Sequence, residues 1–410
     1  MPEFFKVVAP QQIFDALAGF ARLAFEQIDL EHSLGRVLGL DVVSKEDLPA
    51  RARSTMDGYA VRAADTFGAS DAVPALLIAV GRIAMGTLPD ISIAQGQAAE
   101  IPTGGFLPEG ADAVVMVEYT NPLADGEIEV TRPVTKGENV LDRAGDVAFG
   151  ETVLPAGKRL RPQDVGMLAG LGVTEITVFK KPRVAVISTG DEIVPVAQTP
   201  SPGQIRDING YAIRALVETV GALAIPCDIV RDEPDLLRSA LGNALETADV
   251  VVISGGSSVG ERDHIVGVVS GFPQAEIYAH GVAISPGKPT LLARVHGKPV
   301  FGLPGHPVSA MIVAQVFLLP FLKYLEGEKL KKEPTGQRVR AVLATSVHSP
   351  HGREEYIRVR LEWEQDQLLA HPVFGKSGMM STLVKADGFF VVPIHAEGVA
   401  DGEIVDVYLF

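Results

Sequence analysis

A single lysine, Lys288, sits between two prolines in Ser285-Pro286-Gly287-Lys288-Pro289. Proline locks φ, so this cation is held in a stiff turn and is suited to meeting an anion at a fixed place. Upstream, the apolar run DVVVIS meets Gly255, Gly256, Ser257, Ser258, Val259 and Gly260. Such a loop turns backbone N–H groups toward a phosphate, with serine hydroxyls as extra donors. It lacks the GK[ST] ending of a Walker A loop. Asp263 follows, where Mg²⁺ could bridge to that phosphate. In VAVISTGDEI, Gly190 is followed by Asp191 and Glu192. Two carboxylates at a strand end suit a hard metal ion, although Asp191 could equally cap the turn. In KPVFGLPGHPVSAM, Pro304-Gly305 turns the chain and Pro307 favours a first helical position. Ser309 and the first-turn N–H groups then make a further anion site. His306 has no second ligand at metal spacing and does not read as a metal residue. Carboxylates beside a phosphate require a cation between them. Together these residues point to Mg²⁺-dependent handling of a phosphorylated ligand and leave the substrate open.

These segments need strand ends to position them. From Lys181 to about Gly327 the pattern alternates strand and helix: RVAVIST, NGYAIRALVETVGA, DLLRSALGNALETA, DVVVISGG, KPVFGLPG and VSAMIVAQVFLL. Repeated βα units with apolar strands predict a three-layer α/β domain with a parallel-rich sheet, residues 181–328. Ligands bind beyond the carboxyl ends of such strands, where all three clusters fall. Asn209 reads as the N-cap of the first helix. Residues 10–39 carry Ile13, Leu17, Phe20 and Leu23 at helical spacing and read as helical. With residues 151–180 they form a linking subdomain (1–46 plus 151–180). A helix is expected to start near Arg161-Pro162-Gln163-Asp164. Residues 47–150 alternate short β-type runs with Gly and Pro and read as a small, mostly β subdomain. Within it Asp57, Thr103, Glu118 and Asp146 lie in turns, where such residues are usually structural. From 329 to 410 short strands return, predicting a closed, barrel-like β subdomain.

The 410 residues carry a net charge of −15. An acidic chain repels a nucleic-acid backbone, so nucleic acid is not the expected partner. The one cysteine, Cys227, can form neither an internal disulfide nor a cysteine metal cluster. The stretch MPEFFKVVAPQQ lacks a signal-peptide pattern. The longest apolar run, Val308 to Leu322, reads as a buried helix and not a membrane span. A cytoplasmic protein with no membrane partner is the expectation.

In this order, STMDGYAVR, IPTGGFLPEGADAVVMVE, RAGD, ISTGDEI, SGGSSVGERD, PGKPT and GLPGHPVSA resemble the molybdopterin molybdenumtransferase family, that of MoeA and the C-terminal domain of gephyrin. The resemblance runs from Ser54 to Ala310, and the β-rich tail suits the family's last domain. It implies Mg²⁺-dependent insertion of molybdate into adenylated molybdopterin, with release of AMP. It also implies an elongated homodimer. The cleft then lies between the α/β domain of one subunit and the 47–150 domain of its partner. Passing contacts with a molybdopterin adenylyltransferase and with molybdoenzyme maturation proteins would follow. Carried over by position, Asp57, Thr103 and Asp146 match functional residues of the second subdomain. Glu192, Asp232 and Asp263 match carboxylates of the third, here the metal set. Lys288, Pro289 and Ser309 match an oxyanion pocket, which Arg358 and Ser381 would complete. Gly255, Gly256, Ser257, Ser258, Gly260, Pro304 and Gly305 would hold the cofactor. Three positions depart from the pattern: Ser285 stands for a lysine, His306 for an asparagine and Ser257 for a valine. The Ser285 departure motivates one alternative, a tungstate-using paralogue; a second is a non-catalytic carrier or scaffold, as gephyrin-like proteins partly are. The related adenylyltransferase activity is a third reading.

Overall fold

In the computed structural model, residues 7–255 and 259–410 are described, with the backbone alone for 259–263. Helix α1 (Pro10–Ala18) is shorter than its periodicity suggested. It ends at Gly19, and strand β1 (Phe25–Asp29) follows. The helical reading of 10–39 is therefore corrected beyond Ala18. The small β subdomain contributes β2 (Gly58–Val61), β3 (Ala75–Arg82), β4 (Gln97–Ile101), β5 (Ala113–Met116), β6 (Thr120–Pro122) and β7 (Glu127–Val130). They form one six-stranded sheet in the order β5-β2-β4-β3-β7-β6. Helix α2 (Pro162–Gly170) starts where expected. Pro162 fills its first turn, and the Asp164 carboxylate accepts the Arg161 N–H at 2.9 Å. Strand β8 (Glu175–Phe179) then returns antiparallel to β1, Phe25 opposite Phe179 and Asp29 opposite Glu175.

The α/β layer begins with β9 (Arg183–Thr189), α3 (Asn209–Thr219), β10 (Leu223–Pro226), α4 (Pro234–Thr247), β11 (Val250–Gly255) and α5 (Val259–Ser270). It continues with β12 (Glu276–His280), the two-residue β13 (Ile284–Ser285), β14 (Leu291–Val295) and β15 (Lys298–Leu303). The sheet order is β10-β9-β11-β15-β14-β12. The first four strands are parallel, and β14 and β12 close the edge antiparallel. One face buries Ile213, Val217, Phe301, Phe317 and Phe321, together with Ile13, Phe14 and Leu17 of α1. The other buries Leu237, Leu241, Ile265 and Val268 of α4 and α5. Apolar strands covered on both faces explain the near-continuous hydrophobic runs.

A helical run follows as α6 (Pro307–Val313), a π turn at Ala314–Leu318 and α7 (Leu319–Leu325). It is the one helix among the described residues long and apolar enough to cross a membrane, and 83 % of its apolar window is buried inside the fold. The last unit holds β16 (Arg338–Leu343), β17 (Glu354–Glu364), β18 (Gln367–Pro372), the short α8 (Ser381–Val384), β19 (Gly388–Val392) and β20 (Ile404–Leu409). The order β17-β18-β16-β20-β19 closes on itself because β19 also pairs with β17, giving the expected barrel. Strand β13 adds to its wall, Ile284 opposite Glu354 and Ser285 opposite Glu355. Tyr356 and Phe389 of the barrel share the core of α6 and α7, so the barrel and the α/β layer are packed as one.

Candidate functional site

The Lys288 turn is set by backbone bonds. The Val282 and Thr290 N–H groups donate to the Lys288 carbonyl at 2.8 and 3.0 Å. The buried Thr290 hydroxyl donates to the Gly287 carbonyl at 2.7 Å. The Ser285–Pro286 bond is cis. Gly287 has φ +118°, and a Cβ there would lie 2.5 Å from Val313 Cγ2, so the turn packs on α6 only as glycine. Against this fixed backbone the Lys288 side chain is exposed. No carboxylate among the described residues lies within ion-pair distance of it.

Lys288 and Pro289 form one wall of a cleft of about 590 Å³. Pro304, Gly305, His306 and Ser309 form a second wall, and Arg353, Glu355, Arg358, Phe374 and Ser377 of the barrel a third. Pro307 opens α6 with no N–H to donate, and the Val308 N–H donates to the Ser377 carbonyl at 3.1 Å. Ser309 follows at the positive end of this helical run. Arg358 is half-buried, and desolvation pulls its guanidinium below the usual arginine range. Its Nη2 donates to the Gly375 carbonyl at 3.0 Å, while its Nε is buried with no partner. Among the described residues that line the cleft, Lys288, Arg353 and Arg358 thus face one carboxylate, Glu355. This arrangement can hold an oxyanion in a partly desolvated place.

The Ser285 hydroxyl does not stand free to replace a cation. It donates to Glu355 Oε1 at 3.1 Å, which Arg353 also approaches at 3.5 Å. The His306 ring, through Nδ1, meets the Ser377 hydroxyl at 2.8 Å. In the KSGMMST segment it is Ser377 that lines the cleft. Ser381 is exposed at the start of α8 and does not line the cleft. Both lie in KSGMMST, and spacing alone could not tell which serine faces inward. Replacing His306 by alanine removes its contact with Ser377 from the cleft wall and should weaken oxyanion binding, read by calorimetry; an unchanged affinity would remove His306 from the anion site.

A second cluster surrounds the ends of β9 and β11. The Thr189 hydroxyl donates to Asp232 Oδ1 at 2.5 Å. Glu192, half-buried, lies in the turn after Gly190, and its carbonyl accepts the Ile205 N–H at 2.8 Å. Asp191 is exposed and pairs with Arg231 at 3.4 Å, a structural role. A Cβ on Gly255 would lie 2.0 Å from the Thr189 carbonyl oxygen, so these strand ends touch backbone to backbone. Gly256, Ser257 and Ser258 lie outside the described residues. Gly260 and Asp263 fall in the first turns of α5, where the backbone alone is described.

Asn209 is corrected. It starts α3, but its Nδ2 donates to Ser254 Oγ and to the Gly305 carbonyl, both at 2.8 Å. Asp207 does the capping: its Oδ1 accepts the Gly210 N–H at 2.8 Å and the Ser188 hydroxyl at 2.9 Å. Asn209 thereby ties the loop after β15 to the end of β11. Sequence reasoning missed this because the short asparagine side chain serves either role.

In the small β subdomain, Asp57 Oδ1 accepts the Thr103 N–H at 2.7 Å. That bond, followed by the Thr103 hydroxyl, holds the exposed Asp57 carboxyl below the usual range. A Cβ on Gly58 would lie 1.9 Å from the Val115 carbonyl oxygen, which explains the glycine beside Asp57. Asp146, also exposed, lies just after Val140–Leu141, which pairs with Arg53–Ser54. Asp57 and Thr103 therefore meet at one end of this subdomain, and the Asp146 N–H donates to the Leu48 carbonyl at 3.0 Å. None of them lines the Lys288 cleft.

Three family profiles match the chain in order. They are described as the MoeA N-terminal region (domain I and II), residues 9–172, a probable molybdopterin binding domain, residues 185–324, and the MoeA C-terminal region (domain IV), residues 340–410. A putative molybdopterin biosynthesis protein of Methanocaldococcus jannaschii is 36 % identical over 94 % of this chain and 92 % of its own. A molybdopterin molybdenumtransferase of Nostoc is 34 % identical over 93 % of this chain and 87 % of its own. The crystal structure of a molybdopterin biosynthesis moeA protein from Pyrococcus horikoshii superposes with a TM-score of 0.85. It is 30 % identical and covers 99 % of this chain and 100 % of that one.

Proposed function

The chain belongs to the MoeA family of molybdopterin molybdenumtransferases, which act in molybdenum cofactor biosynthesis, and on that premise we propose that it inserts molybdate into adenylated molybdopterin with release of AMP. The observation that carries this reading is the Lys288 cleft, which Lys288, Arg358 and Ser309 line together from three walls. Molybdate is held there by charge-assisted hydrogen bonds. The phosphate side of the substrate lies toward the strand ends, between Gly255 and the loop that Asn209 fastens. Bringing two anions together requires cations and oriented dipoles already in place.

Glu192 and Asp232 are oxygen donors on the loops beyond β9 and β10, next to Thr189. Such donors suit Mg²⁺, and with Asp263 they would hold it. When bound, the ion would neutralise the charge that develops as the pyrophosphate bond breaks. Asp57, Thr103 and Asp146 would enter from the partner of a homodimer. Asp57 is held ionised by Thr103 and is thus ready to orient a water or a donor group.

The purified chain, given adenylated molybdopterin, should release AMP only when molybdate and Mg²⁺ are both present. Substrate that binds without AMP release under any combination would sink the proposal and favour a carrier. The Ser285–Glu355 bond, which leaves one cation fewer in the pocket than the lysine pattern provides, favours a second reading, a preference for tungstate. Parallel titrations with the two oxyanions separate them, and ATP consumption with free molybdopterin would instead mark an adenylyltransferase.

A further inference from the structure

Phe374 stands at the lip of the Lys288 cleft with 66 % of its surface exposed. An aromatic side chain left in water forgoes a large burial, so its placement calls for a reason. Its backbone is not loose. On one side the Val373 N–H donates to the Arg358 carbonyl at 2.8 Å; on the other, Arg358 Nη2 donates to the Gly375 carbonyl at 3.0 Å. A Cβ on Gly375 would lie 2.6 Å from Thr382 Cγ2, so the next residue is packed closely too. Among the described residues no aromatic ring or cation stacks on Phe374.

We infer that Phe374 is a stacking platform for a planar fused heterocycle whose anionic end reaches the Lys288–Arg358 pocket. The ring class follows from an open aromatic face beside an anion site, since stacking accepts any flat π system. The inference rests on the proposed substrate, which carries two such rings, pterin and adenine. Arg358 brackets the platform through its backbone and its Nη2 while lining the anion pocket. Ring and oxyanion are therefore read by neighbouring parts of one segment.

The test uses the full chain and ligands that need no turnover. Binding of a soluble pterin is followed by its fluorescence anisotropy and binding of AMP by equilibrium dialysis, with Phe374→Ala, Phe374→Leu and Phe374→Trp beside the unmodified chain. Alanine and leucine should weaken one of the two rings about tenfold, and tryptophan should keep it. The thermal unfolding midpoint of all three should match that of the unmodified chain, because Phe374 is largely exposed, showing that the fold is intact. Weakening of the pterin alone, or of AMP alone, names the ring. Equal binding of both rings by the alanine variant and the unmodified chain overturns the inference, as does failure of the unmodified chain to bind either. These readouts are independent of AMP release, so loss of the insertase reading and loss of the platform are distinguishable.

Discussion

Replacing Lys288 by alanine is expected to lower the molybdate-dependent kcat/KM by about a hundredfold to a thousandfold, with the unfolding midpoint unchanged. The side chain is exposed and has no ion pair among the described residues, so folding does not depend on it. The hydrogen bonds that build its turn come from backbone groups and Thr290, and alanine leaves them intact. What disappears is the cation that this fixed turn carries into the cleft. One charge-assisted bond contributes about 1.5–3 kcal/mol, and a fixed donor aimed at developing charge is worth the rate factor above. Arginine at this position would restore charge with different reach and is expected to recover only part of the loss. AMP release at varied molybdate, together with thermal unfolding, checks both halves. A variant that turns over normally would remove Lys288 from the site, and a variant that melts early would make the lysine structural.

The largest expected effect on stability lies away from the cleft. Arg159 Nη2 meets Glu326 Oε2 at 2.6 Å, its Nε meets Glu328 Oε1 at 2.6 Å, and its Nη1 donates to the Gly35 carbonyl at 2.6 Å. One side chain thus joins the segment before α2, the loop at Gly35 and the end of α7. The Glu326 side chain is only 7 % exposed. Burial pushes its carboxyl above the usual range, although Arg159 pulls the other way. Arg159→Ala would leave that carboxylate buried without its cation, a loss of about 3–5 kcal/mol. The sign with pH follows. A carboxyl raised in the folded state favours folding below its unfolded pKa and loses that contribution as pH rises through the folded value. The deficit of the variant should therefore be smallest in acid and grow toward neutrality. Adding Glu326→Gln should recover part of it. Denaturant unfolding of the single and double variants measures this, and an Arg159→Ala protein as stable as the unmodified chain would refute the account.

Much of the α/β layer was legible because its signals are local. A run such as VVVIS, a glycine turn and a proline at a helix start each lie within a few residues, and the structure places β11, the β15 turn and α6 accordingly. Residues 10–39 misled because the helical spacing covers only Ile13 to Leu23, and beyond it the chain enters a strand that needs a distant partner. Strand β1 exists only through β8, which brings Phe179 opposite Phe25, and no local pattern carries that pairing.

The same division runs through the site. By itself the sequence determined which residues carry charge, where the chain must turn, and that Lys288 is held stiffly, because proline and glycine act on their own φ. Only the tertiary structure decided what faces what. The β13–β17 register sets Ser285 against Glu355. The packing of α6 on the barrel sets His306 against Ser377, and the fold of the 373–375 segment around Arg358 puts Phe374 at the lip. These contacts join residues far apart in the chain. They are fixed by strand register and a shared apolar core, which bind long separations that turn chemistry cannot reach.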